Sequence, residues 1–196
     1  MRRLLIATVA GCVIGVPSIA GAHMMSSGLG PFYDGLAHLF VTPEDLLPVV
    51  ALALLAGLRG PAWGRAVLLC LPAGWLAGSA AGVLLTVPPP APVVSAAVTI
   101  VLGALVAADA KLLLAPFSAV AIGLGLAAGG ANSLDVAPSL ATGLFIAGGT
   151  AAIFVVVSLV SGQVTSVRTD AARIAVRVGG SWIAAIGLLM FGWAMR

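Results

Sequence analysis

From Thr42 to Ala194 the chain passes through six apolar segments, over about 42–58, 66–87, 93–108, 112–130, 138–160 and 178–194, and its charges fall at their ends. A helix needs ~20 apolar residues to cross a bilayer, so the pattern predicts an all-α, polytopic bundle of about six transmembrane helices. Composition agrees. The 196 residues are 61% hydrophobic and 8% charged, whereas a soluble domain carries about 25% charged residues. A soluble core of this length has no room for so many apolar side chains, so the solvent is lipid. The net charge of +3 does not point to nucleic acid, because the basic residues form no patch.

The basic residues carry topology instead. Arg59 and Arg65 follow the first segment, Lys111 the third, and Arg168, Arg173 and Arg177 the fifth. The intervening connections hold Pro88, Pro89 and Pro90, or Asn132 and Asp135, with no basic residue. Positive loops stay in the cytoplasm. The expected orientation therefore has both ends of the mature chain outside a bacterial inner membrane.

Residues 1–22 have the three parts of a secretory signal. Arg2 and Arg3 precede an apolar run, Pro17 ends it, and Ala20-Gly21-Ala22 is an A-x-A cleavage site. The expected domains are a signal peptide over 1–22, with an uncleaved helix as the rival, and one transmembrane domain over 23–196. Cleavage leaves His23 at the N-terminus, where an amine beside an imidazole can chelate a metal. The plainer reading is a terminal histidine and nothing more. Cys12 and Cys70 show no ligand spacing, and Cys70 reads as an apolar helix residue.

The polar residues concentrate in 28–57, which holds Asp34, Glu44, Asp45 and His38. Ionisable groups beside membrane helices are costly and mark functional sites. Imidazole with carboxylate suits nickel, cobalt or zinc. Asp34 and His38 are four apart and share a face if 31–40 is helical. Asp45 joins that face only if the helix continues through Pro43 with a kink; otherwise a short helix starts at Thr42-Pro43-Glu44-Asp45, with Thr42 as N-cap. Capping accounts for Glu44, whereas for Asp45 capping and a functional role are evenly matched. Asn132 and Asp135 fall on the same side as His38. A short echo links Gly35-Leu-Ala-His38, then Pro43, to Gly129-Gly-Ala-Asn132, then Pro138. Asp109 and Lys111, on the other side, read as a loop ion pair. Gly74, Gly78 and Gly82, and Gly125 and Gly129, recur every four residues and read as helix-packing stripes, with a homo-oligomer contact as the alternative.

Pro31-Phe-Tyr-Asp34-Gly35-Leu-Ala-His38, then Pro43-Glu-Asp-Leu-Leu-Pro48 and a Leu/Ala/Gly-rich span, resembles the HupE/UreJ membrane proteins. These accompany hydrogenases and ureases and are regarded as nickel or cobalt permeases. The family's first motif reads roughly His-Pro-x-x-Gly-x-Asp-His. Gly30 stands before Pro31, where the motif has His before Pro, while Ala37 stands at its Asp and His38 at its last position, with one residue more between the two ends. A later family histidine would fall near Asn132. The resemblance implies a secondary permease for nickel or cobalt, with His38, Asp34, Asp45, Asn132 and His23 as candidate ligands and the ion as cargo, not a resident cofactor. The alternative is a non-transporting accessory protein docked on a metalloenzyme maturation partner. An enzyme is not expected, since no His-Glu-x-x-His motif is present, and no G-x-x-x-x-G-K-[ST] motif provides for ATP.

Overall fold

The computed structural model describes residues 28–85, 90–133, 137–167 and 169–196. The expected signal over 1–22, His23, Asp135 and Arg168 lie outside the described residues. Seven α-helices and no strand occur among the described residues: α1 Pro31–Val41, α2 Pro43–Arg59, α3 Pro61–Leu84, α4 Pro92–Ala107, α5 Leu114–Ala131, α6 Leu140–Thr165 and α7 Asp170–Ala194. Four of them, α3, α5, α6 and α7, are long and apolar enough to cross a membrane. The pair α1 and α2 passes the same test together, but bends by 75° at the break between them. The apolar helix α4 has 16 residues.

One boundary decides between two sequence alternatives, in favour of a helix that starts at Pro43, and one differs from the sequence expectation. The kinked continuous helix through Pro43 is not formed. Proline disfavours helical backbone at the residue before it and brings no N–H, and Thr42 takes φ −112°, ψ 88°. The chain therefore turns, and α2 begins as a new helix with Pro43 in its first turn. At the other end of the sequence, α7 begins eight residues before the apolar run. Thr169 caps it, its hydroxyl accepting from the Ala172 N–H at 3.3 Å. Arg173 and Arg177 thus sit on the first turns of a helix, not in a loop.

Helix α2 is the axis of the bundle and packs against all six other helices. Its middle is small and apolar, and Ala51, Leu52, Leu55 and Ala56 are fully buried. Pro48, inside this helix, is buried as well. The remaining helices pair around it through glycine. A Cβ added to Gly74, Gly78 or Gly82 of α3 would overlap the carbonyls of Ile122, Leu126 or Gly130 on α5. Gly125 and Gly129 of α5 meet the backbone of Leu71 and Trp75 in return. The two stripes thus face each other within one chain. Helices α1 and α6 approach in the same way through Gly35 and Gly148, and α4 and α7 through Gly103, Gly180 and Gly187. Such close backbone contact replaces the hydrophobic driving force that lipid cannot supply.

The outer surface suits lipid. Leu69, Leu159, Leu188, Leu189 and Trp193 are among its exposed large side chains. Helical hydroxyls are satisfied locally: Ser118, Thr150, Ser158 and Thr165 each donate to the carbonyl four residues back. Each of these four O–H groups is thereby paired within its own helix. Cys70 is a free, half-buried thiol on α3, as expected.

Candidate metal-capture site

The N-terminus of α2, the C-terminus of α1 and the C-terminus of α5 meet at one end of the bundle. Three side chains join there. Asn132 Nδ2 donates to Asp45 Oδ2 at 2.7 Å and to the Ala128 carbonyl at 2.9 Å. Its Oδ1 lies 2.7 Å from His38 Nε2. His38 Nε2 is 3.9 Å from Asp45 Oδ2. The amide is thus a bridge between an imidazole and a carboxylate.

Local sequence explains each position. Gly35 and Gly148 let α1 lie tightly on α6, which sets the His38 ring against Phe145, with centroids 5.5 Å apart at 61°. The break at Pro43 then turns the chain so that the first turn of α2 comes back beside His38. Thr42 occupies the N-cap position of α2, but its hydroxyl makes no cap. It donates instead to the His38 carbonyl at 2.8 Å, closing the end of α1. Asp45 is only 8% exposed, while its neighbour Glu44 faces outward. The helix N-terminus favours the Asp45 carboxylate, and Asn132 satisfies one of its oxygens. Asn132 terminates α5, where its backbone N–H bonds the Ala128 carbonyl and its side chain reaches across.

The hydrogen bonds fix the roles of the groups. Because the Asn132 amide nitrogen is spent on Asp45 and Ala128, its oxygen faces His38, so His38 carries its proton on Nε2. The neutral ring then has its lone pair on Nδ1. The His38 side chain is 21% exposed and that of Asp45 9%. The imidazole is the accessible member of the set and the carboxylate lies behind it.

Of the residues singled out in the sequence, the structure brings together His38, Asp45 and Asn132. The described hydrogen bonds and ion pairs of His38 run to Asn132, Thr42 and Asp45, not to Asp34. Among the described residues, no group of three or more His, Cys, Asp or Glu is placed to hold a metal ion, so an ion held here draws on the amide oxygen or on ligands of its own. The two residues of the sequence echo, His38 and Asn132, are in direct contact. Sequence reasoning missed Thr42 as a partner of His38 and Phe145 as its wall. Nothing in an apolar helix marks Phe145.

The opposite end of the bundle corrects a second expectation. Asp109 does not pair with Lys111, which is exposed. Its Oδ1 accepts from Arg59 Nη2, and its Oδ2 accepts from Arg173 Nε at 2.8 Å and Nη2 at 2.6 Å. The reason is the turn after α4, where Asp109 takes a left-handed φ of 53°, and the early start of α7, which brings Arg173 within reach. Residues from three basic connections, Arg59, Asp109 and Arg173, thus meet at one end, away from His38.

These features define a class: an all-α, multi-pass membrane protein with a carboxylate–amide–imidazole chain at a helix break, its carboxylate buried. The chain belongs to the HupE/UreJ family, whose profile, described as HupE / UreJ protein, matches residues 11–190. No curated protein and no solved structure matches it significantly.

Proposed function

We propose that this protein is a secondary permease for a divalent transition metal, nickel or cobalt, and that His38, Asp45 and Asn132 form its capture site. The observation that carries the reading is the burial of Asp45 at a helix break, joined through Asn132 to a partly exposed imidazole 3.9 Å away. A buried carboxylate is costly and is kept where its charge is used. Helix breaks are where transporters place ion sites. One imidazole and a few oxygens make a weak site, which suits a carrier that must release its cargo. By the positive-inside rule the Arg59–Asp109–Arg173 end faces the cytoplasm. The capture site and the C-terminus then face outward from a bacterial inner membrane, after removal of a signal over 1–22.

Equilibrium dialysis of the purified protein against radiolabelled nickel tests the site. We expect saturable binding that cobalt displaces, and at least a tenfold loss of affinity in His38→Ala and in Asp45→Asn, about the effect of ~1.4 kcal/mol. Equal binding by wild type and both variants would place capture elsewhere, with Asp34 and His23 the next candidates. A second reading, a non-transporting accessory protein for a metalloenzyme such as hydrogenase or urease, draws on the absence of a three-residue His/Cys/Asp/Glu group among the described residues. It predicts no ion movement across the membrane.

A further inference from the structure

The capture site explains one end of α2. The other end carries the largest charge cluster among the described residues, and the permease reading gives it no role. Asp45 and Arg59 are 14 residues apart on α2, or ~21 Å along a helix. Between them Leu52, Leu55 and Ala56 are fully buried, so the middle of α2 is packed on every side in this conformation. An ion that enters beside His38 leaves only if that end opens.

The cluster there ties three elements together. Asp109, in the α4–α5 connection, holds Arg59 at the C-terminus of α2 and Arg173 on the first turn of α7. Arg177, one turn further on, donates to the Ala107 carbonyl at 2.8 Å. Two guanidinium groups share one carboxylate. The Arg59 side chain is 9% exposed, and its Nε is buried with no hydrogen-bond partner among the described residues. A purely structural ion cluster would satisfy its donors, since an orphaned buried N–H costs stability. Beside the cluster is a cavity of about 420 Å³, lined by Arg59, Val164, Thr165, Thr169, Asp170 and Arg173 among others. Asp170 is three residues before Arg173 on α7 and lines the same cavity, so it offers that guanidinium a second carboxylate.

We propose that Arg59, Asp109 and Arg173 form the inner gate of the permeation route. In the closed state Asp109 holds both arginines and fastens α7 to α2. In the open state Arg173 leaves Asp109 for Asp170, through the adjoining cavity, and Asp109 becomes available to the departing cation. Both states keep Arg173 paired with a carboxylate, which makes the element two-state. The proposal rests on the permease reading, but its test does not require transport.

A single thiol reports the gate. Val164 lines the cavity and is 8% exposed. Val164→Cys, in a background with Cys12→Ala and Cys70→Ala, is labelled with a membrane-impermeant maleimide in inside-out vesicles. We expect Asp109→Asn and Arg173→Gln each to speed labelling by about tenfold or more, as loss of a charge pair shifts a two-state equilibrium. Asp170→Asn slows labelling below that of the parent, because it removes the open-state partner. Variants are compared only where the protein elutes as one folded species, and Asp170→Asn, at an exposed helix start, remains informative if Asp109→Asn misfolds. Unchanged labelling in Asp109→Asn and Arg173→Gln overturns the gate even if wild type carries nickel. So does acceleration in right-side-out vesicles in place of inside-out ones. Accelerated labelling as predicted, in a protein that moves no nickel, keeps the gate and removes the cargo assignment.

Discussion

Asn132 is the residue on which the site turns. Its amide ties Asp45 to His38 and also finishes its own helix. Removing it leaves a buried carboxylate with its closest hydrogen-bond donor gone. Asn132→Leu should therefore lower stability by ~1–3 kcal/mol, the cost of a buried polar group left unpaired, read as a lower melting temperature in detergent. An unchanged melting temperature would mean that the amide carries no structural burden. Sequence spacing singled out Asp34 and His38, because a four-residue separation is visible in a chain read linearly. The contact between Asp45 and Asn132 spans 87 residues and depends on how α5 lies against α2, which no local spacing encodes. Asn132 was legible as a candidate because a polar residue ends an apolar run, echoes the His38 segment and falls where the resembled family places a later histidine.

At the scale of elements, the four-residue glycine repeats were readable and their partner was not. Gly74, Gly78 and Gly82 announce a close helix neighbour, and the structure shows that neighbour to be α5, whose own repeat faces them. The same chemistry at Gly35 and Gly148 escaped notice because those glycines form no four-residue repeat, although that crossing places His38. Gly78→Ala puts a methyl group into the Leu126 carbonyl and should cost ~1–3 kcal/mol, as overpacking does. Gly123, on the same α5, has open space around its Cβ position. Gly123→Ala should be neutral or stabilising by up to ~1 kcal/mol through helix propensity. Thermal aggregation of the two variants in detergent compares them directly, and equal behaviour would contradict the packing assignment. The bend at Thr42 belongs to this scale too. Pro43 signalled a kink, but the direction of the turn follows from α1 docking on α6.

For the whole molecule, the placement of charge was the most legible property. The alternation of basic connections anticipated that Arg59, Asp109 and Arg173 would share one end, and they meet there. The pairing itself was not visible, because α7 starts before its apolar run and carries Arg173 inward. The result is a polarised bundle: a His38–Asn132–Asp45 chain at one end, an arginine–carboxylate cluster at the other, and α2 between them with a fully packed middle. That polarity is what a carrier with one capture site and one gate requires. The central claim, that the bundle moves a divalent metal by way of His38 and Asp45, is tested by radiolabelled nickel uptake in cells that lack their own nickel importers. Wild type, His38→Ala and Asp45→Asn are compared at equal membrane abundance, with cobalt as competitor. The account predicts cobalt-sensitive uptake by wild type that falls at least about tenfold in both variants, each of which removes a ligand made in the capture step. Wild-type uptake no greater than that of cells with an empty vector would contradict it.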